Sequence, residues 1–136
     1  YVGVTPLIIE GSLKENLLYG NNSSKTDEEM MKLIKEFELF NNDERGLDTI
    51  IDRKSLSSGQ MQKISFIRSL LAETKLLLLD ESTANLDDFS RQLIFKILGE
   101  KHVTIINSTH DPENFENVDN HLKIDIVDEK RILVLN

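Results

Sequence analysis

The stretch Lys54 to Asp87, "KSLSSGQMQKISFIRSLLAETKLLLLDESTANLD", decides how this chain is read. Its first half sets a hydroxyl-rich turn, Ser57–Ser58–Gly59, ahead of an apolar stripe at Met61, Ile64, Ile67 and Leu71, a spacing that predicts an amphipathic helix from Gly59. Its second half runs Leu76 to Leu79 into Asp80 and Glu81. Four leucines are too few for a helix and too apolar for a half-exposed strand. They predict a parallel strand buried on both faces. After Asp87, the spacing of Leu93, Ile94, Ile97 and Leu98 predicts another helix.

Outward from that stretch the alternation continues. A turn-rich stretch, Asn21 to Ser24, precedes "TDEEMMKLIKEFELF", which places apolar residues at Met30, Leu33, Ile34, Phe37 and Phe40. Thr26 and Glu29 there have the spacing of a capping box. "VTIIN" at Val103 to Asn107 repeats the buried-strand type. "HLKIDIV", the polar turn "DEKR" and "ILVL" predict a closing hairpin. Helices alternating with buried strands give an α/β fold with a parallel sheet.

Composition narrows the function. The 136 residues carry a net charge of −8, with no basic cluster to serve nucleic acid or anionic lipid, so a nucleic-acid partner is disfavoured. No apolar run approaches the ~20 residues that span a bilayer. The absence of cysteine excludes disulfides and thiol metal sites. The opening "YV" reads as the end of a strand already under way, and the chain is expected to be a fragment.

In an open α/β sheet, ligands gather beyond the carboxyl ends of the strands, where Asp80 and Glu81 are placed. One such acid can hold Mg²⁺, usually through water, and the other can orient or deprotonate an attacking water. The bland alternative is a strand end followed by solvated acids. Ser57, Ser58 and Gly59 start a helix, where free amides and the dipole favour phosphate; equally, serine caps helices that bind nothing.

Taken in order, these pieces resemble one family. "LSSGQ" (56–60) resembles the LSGGQ signature of ATP-binding cassette (ABC) ATPases, "LLLLDE" their Walker B strand, and "STANLD" (82–87) their D-loop. "INSTHD" sets His110 where the family has its switch histidine, and "YVGVTPLIIEGSLKENLLYG" follows the Q-loop stretch of exporters. The resemblance implies part of a P-loop NTPase domain: a Q-loop region over about 1–20, a helical subdomain with the signature over about 21–72, and later core strands with Walker B, D-loop and H-loop over about 73–136. It also implies ATP and Mg²⁺ as cofactors, with Asp80 on the metal through water, Glu81 as base and His110 at the γ-phosphate. Ser57, Ser58, Gly59 and Gln60 would act in trans on ATP held by a second nucleotide-binding domain, and Asp87 would pass contacts across that dimer. Transmembrane domains would be the other partner, at the cytoplasmic face of a membrane. His102 and His121 match no motif and are expected at the surface.

The departures carry expectations too. Ser58 replaces the first glycine of the usual pair. Val4 stands where the family has glutamine, and valine can neither ligate Mg²⁺ nor bond the attacking water. Gly3 replaces a common proline, and residues 49–56 lack the Gly-Glu-x-Gly pattern typical of exporters. None of the six glycines is followed by lysine, so the chain holds no P-loop and is expected to be inactive by itself. The competing readings are a non-hydrolytic ABC-like regulatory or binding module and a soluble ABC protein.

Overall fold

A computed structural model describes residues 1–21, 24–40, 45–112, 115, 118–127 and 130–135. Three short parallel strands form the central sheet in the order β1 (Val2–Gly3), β4 (Leu76–Asp80), β5 (Thr104–Ser108). A second pair, β2 (Gly11–Ser12) and β3 (Ile50–Ile51), is antiparallel, as is the hairpin β6 (Leu122–Val127) with β7 (Lys130–Leu135). The helices are α1 (Leu13–Leu18), α2 (Asp27–Glu36), α3 (Ser58–Leu71) and α4 (Asp88–Gly99).

Local chemistry fixes the helix ends. Ser12, Thr26 and Ser57 each close a reciprocal capping box, with Glu15, Glu29 and Gln60 three residues on. Asp87 caps α4 through its carboxylate on the Ser90 amide. At the other ends, α2 and α3 stop where Glu38 and Glu73 turn into the left-handed region, at φ 47° and 51°. The predicted helix beginning at Thr26 therefore stops at Glu36, and Leu39 and Phe40 enter the core from the segment beyond it.

α1 was not expected. Its signal was the Ser12/Glu15 capping box, hidden in a stretch read by its likeness to the Q-loop. In the closing hairpin, Lys130 and Arg131 belong to β7 rather than to the turn, and Asp128 and Glu129 lie outside the described residues. So do Asn22 and Ser23 of the predicted turn.

One buried cluster joins all four helices to one face of the sheet: Leu13 and Leu17 of α1, Met30 and Ile34 of α2, Ile64, Phe66 and Ile67 of α3, Ile94 and Leu98 of α4, with Val2, Leu77 and Leu79. The other face corrects the expectation of strands buried on both sides. Leu77 and Leu79 are buried, but Leu76 and Leu78 are 48% and 41% exposed, and Ile106 on β5 is exposed as well. The run of leucines reported apolarity, whereas burial depends on whether something lies against each face. His102 and His121 are exposed, as expected.

Candidate functional site

Strand register brings the first group of residues together. Gly3 pairs with Asp80 and Asp80 with Ser108, so the three strands end level with one another. Val4, Glu81 and the Thr109–His110 turn leave the sheet along that single edge. Asp80 is exposed, and its Oδ2 accepts a hydrogen bond from the Tyr1 hydroxyl at 3.0 Å. That bond draws the Tyr1 phenol upward in pKa, with burial and the Asp80 charge adding to it. A Cβ at Gly3 would lie 2.7 Å from the Tyr1 hydroxyl oxygen, so glycine leaves that contact room.

Glu81 holds the sharpest backbone feature. Three non-glycine residues among those described have positive φ; Glu38 and Glu73 end helices, and Glu81, at φ 49°, ends a strand. The left-handed region costs a non-glycine residue about 1–2 kcal/mol. The turn is held by the Glu81 amide donating to the Ser108 carbonyl at 3.0 Å and the Ala84 amide donating to the Glu81 carbonyl at 3.2 Å. It sets the carboxylate beside His110, with Glu81 Oε1 3.5 Å from His110 Nε2. The His110 side chain is 91% exposed and that of Glu81 29%, so the pair faces solvent from the imidazole side.

Signature residues form a separate group. Ser57 Oγ accepts from the Gln60 amide at 3.1 Å, and Gln60 Oε1 accepts from the Ser57 amide at 2.9 Å. This box uses Ser57 Oγ and Gln60 Oε1 as its two acceptors. The Ser58 and Gly59 amides belong to the first turn, which has no intrahelical acceptors for them. Ser57, Gly59 and Gln60 line an open groove of about 700 Å³ together with Asp87, Lys63 and Ser90. Asp87 holds the Ser90 amide at 2.7 Å and accepts from the Ser90 hydroxyl at 3.2 Å. The backbone bond from Ser90 is the main reason its carboxyl is held below the usual aspartate value; the Lys63 charge adds to the effect. Asp80, Glu81 and His110 do not line this groove. The structure thus sets apart two groups of residues: those at an acidic strand edge and those at a helix-start groove.

Val4 is 45% exposed and Leu7 51% exposed, so neither side chain is held in the core. Sequence reading also passed over Lys63. It is only 7% exposed, lines the groove, and donates from Nζ to the Glu38 carbonyl at 3.3 Å. Its signal was a cation next to the α3 stripe.

A divalent cation fits the strand edge. Mg²⁺ keeps several waters and needs one or two carboxylates beside its phosphates, and Asp80 retains Oδ1 with Oδ2 bonded to Tyr1. Among the described residues no cluster of three metal-ligating side chains occurs, so these residues alone do not make a protein-enclosed metal cage. No helix among them is long and apolar enough to cross a membrane.

Comparison with known proteins gives the family. Residues 5–84 match the family described as ABC transporter. The chain is 38% identical over 115 residues to the lactococcin-A transport/processing ATP-binding protein LcnC of Lactococcus lactis, covering 81% of this chain and 16% of that protein. It is 37% identical over 123 residues to the glutathione/L-cysteine transport system ATP-binding/permease protein CydD of Haemophilus influenzae, covering 88% and 21%. With the ATP-dependent permease MDL1 of Candida albicans it shares 34% over 129 residues, covering 88% and 19%. The chain thus spans about a fifth or less of the length of these relatives. With the family match extending over more than half of its residues, the chain belongs to the ABC transporter family.

Proposed function

We propose that this chain is the helical-subdomain and later-strand portion of a nucleotide-binding domain that hydrolyses ATP to drive export across a membrane. On this reading residues of about 1–20 form the Q-loop region, about 21–72 the helical subdomain and about 73–136 the later core. The relatives' names, which speak of transport, ATP binding and permeases, support it. The observation that carries it is the strand edge: Asp80, Glu81 and His110 leave level strand ends together, with Glu81 turned through a left-handed backbone toward His110.

Mg²⁺, when bound, would offset the charge of the β- and γ-phosphates. Asp80 would hold it through water. Glu81 would accept the proton of the attacking water at its carboxylate. His110, through Nε2, would stabilise the γ-phosphate region. Ser57, Gly59 and Gln60, which open onto a different groove, would with Ser58 face ATP held by a second nucleotide-binding domain, and Asp87 would sit at that junction. The domain would lie at the cytoplasmic face, against transmembrane partners.

In the protein at its natural length, Glu81→Gln should preserve ATP binding while lowering turnover by roughly 10²-fold, the scale of a lost general base. Near-normal turnover would leave Glu81 as a strand-end residue only. Val4 favours a second reading, a non-hydrolytic ABC-like module, because its side chain offers no ligand. Val4→Gln should raise the ATPase rate or sharpen its Mg²⁺ dependence under the hydrolytic reading. A natural-length protein that binds ATP without turnover, before and after Val4→Gln, would support the second.

A further inference from the structure

The backbone that leaves β1 at Gly3 has no regular secondary structure from Val4 to β2, yet side chains from four other segments hold carbonyls from Gly3 to Ile9. Gln62 Nε2 donates to Gly3 O at 3.1 Å, and Asn85 Nδ2 to Val4 O at 3.4 Å. Arg53 Nη1 donates to Pro6 O at 2.8 Å, and Arg68 Nη2 to Leu7 O at 2.9 Å. Asn16, fully buried, bonds both polar groups of Ile9: its Nδ2 donates to Ile9 O at 3.0 Å and its Oδ1 accepts from the Ile9 amide at 2.9 Å.

Arg68 makes two of these points act together. Its Nε donates to the Asn16 carbonyl at 2.7 Å while Nη2 holds Leu7, and its guanidinium lies 5.8 Å from the Tyr19 ring centroid. A planar, permanently charged fork can bind two carbonyls in fixed relation, which a single ammonium cannot. Meanwhile Val4, Thr5 and Leu7 turn their side chains outward, and only Pro6 and Ile8 are buried. Position is therefore read mainly from the backbone.

Gln62 and Arg68 both belong to α3, whose first residues form the signature groove. From Ser57 to Arg68 that helix rises by about 16 Å. We propose that Arg68 is a positioning residue through which α3 carries the Gly3–Ile9 segment by its backbone, so that a displacement of the signature groove moves the segment beside Asp80 whatever side chains stand at positions 4, 5 and 7. Val4 is then compatible with a segment that keeps its place. The effect on turnover rests on the reading above; the grip itself does not.

The test is amide hydrogen exchange, followed by mass spectrometry over residues 4–9, in the natural-length protein, with ATP hydrolysis and export measured on the same samples. Arg68→Met should speed exchange of the Ile9 amide, which donates to Asn16 Oδ1, about tenfold or more, because Arg68 holds the Asn16 carbonyl, and Arg53→Met should speed it less. Thr5→Ala and Leu7→Ala should leave it unchanged. Arg68→Met should also keep the KM for ATP while lowering export per ATP hydrolysed. Arg68→Lys, which keeps the charge and stem but loses the fork, should likewise speed exchange, and it decides the question if Arg68→Met does not fold. Unchanged exchange in the Arg68 and Arg53 variants overturns the proposal, as does equal acceleration by the Thr5 and Leu7 variants. Absence of ATP hydrolysis in the unmodified protein would instead overturn the functional reading and leave the exchange result to decide the grip.

Discussion

Helix α3 and the strand that follows it, β4, are enclosed in opposite ways. In α3 the residues from Gln62 to Ile67 are all buried, polar and apolar alike, so the helix is surrounded through more than a turn. In β4 burial alternates, and two of its four leucines stand nearly half open. The more polar element is the more deeply packed one. Enclosure follows from how many neighbours surround an element; Lys63 Nζ finds the Glu38 carbonyl and Gln62 Nε2 the Gly3 carbonyl, while Gln62 Oε1 is buried without a hydrogen-bond partner.

The widest gap between the two should appear on truncation of side chains. Phe66→Ala, at a fully buried site, is expected to cost about 3–5 kcal/mol by chemical denaturation, whereas Leu78→Ala on the open face should cost about 1 kcal/mol or less. Equal losses would mean that the outer face of β4 is covered in solution. Next in size is the cap of α3: Ser57→Ala removes the acceptor for the Gln60 amide and should cost about 1 kcal/mol. If the loss were nil, the box would be contributing nothing to the helix that it starts.

Acid separates α3 from the other helices. Glu15, Glu29 and Asp87 cap or brace α1, α2 and α4, and the backbone amides of Ser12, Thr26 and Ser90 are the largest cause holding their carboxyls below the usual range. A carboxyl lowered in the folded state stabilises fully above its unfolded pKa, about 3.9–4.3, and loses that contribution as pH falls through the folded value. The α3 box is built from serine and glutamine and does not titrate. Below about pH 4, exchange at the starts of α1, α2 and α4 should therefore rise before exchange at the start of α3. Simultaneous fraying would show that the acidic caps are not the weak points. The smallest effect is expected at Val4. Because its side chain is exposed, Val4→Gln should shift stability by no more than about 0.5 kcal/mol, checked by thermal melting, and a larger loss would reveal packing that the exposed position does not.

Much of the architecture was legible because it is written in local periods and pairs. The stripes of α2, α3 and α4, the Thr26 box and the hairpin each depend on residues close in sequence. The boundaries were less so. Phe37 and Phe40 continue the stripe of α2, but the left-handed turn at Glu38 ends it, and nothing in glutamate announces that conformation. Lys63 and Arg68 look like solvated cations on a helix; their acceptors, at Glu38, Leu7 and Asn16, are brought to them only by folding.

The sequence by itself determined the types of α2, α3, α4, β4, β5 and the closing hairpin, the family and the residues gathered at the strand edge, because capping chemistry, hydrophobic period and ordered motifs act over short distances. Tertiary structure alone decided which face of β4 is covered, that Gly3, Asp80 and Ser108 end level, that the signature opens onto a groove apart from Glu81, and that the segment after β1 is gripped by its carbonyls. Each of these depends on groups far apart in the chain. Their meeting is set by packing and register, which no local pattern encodes.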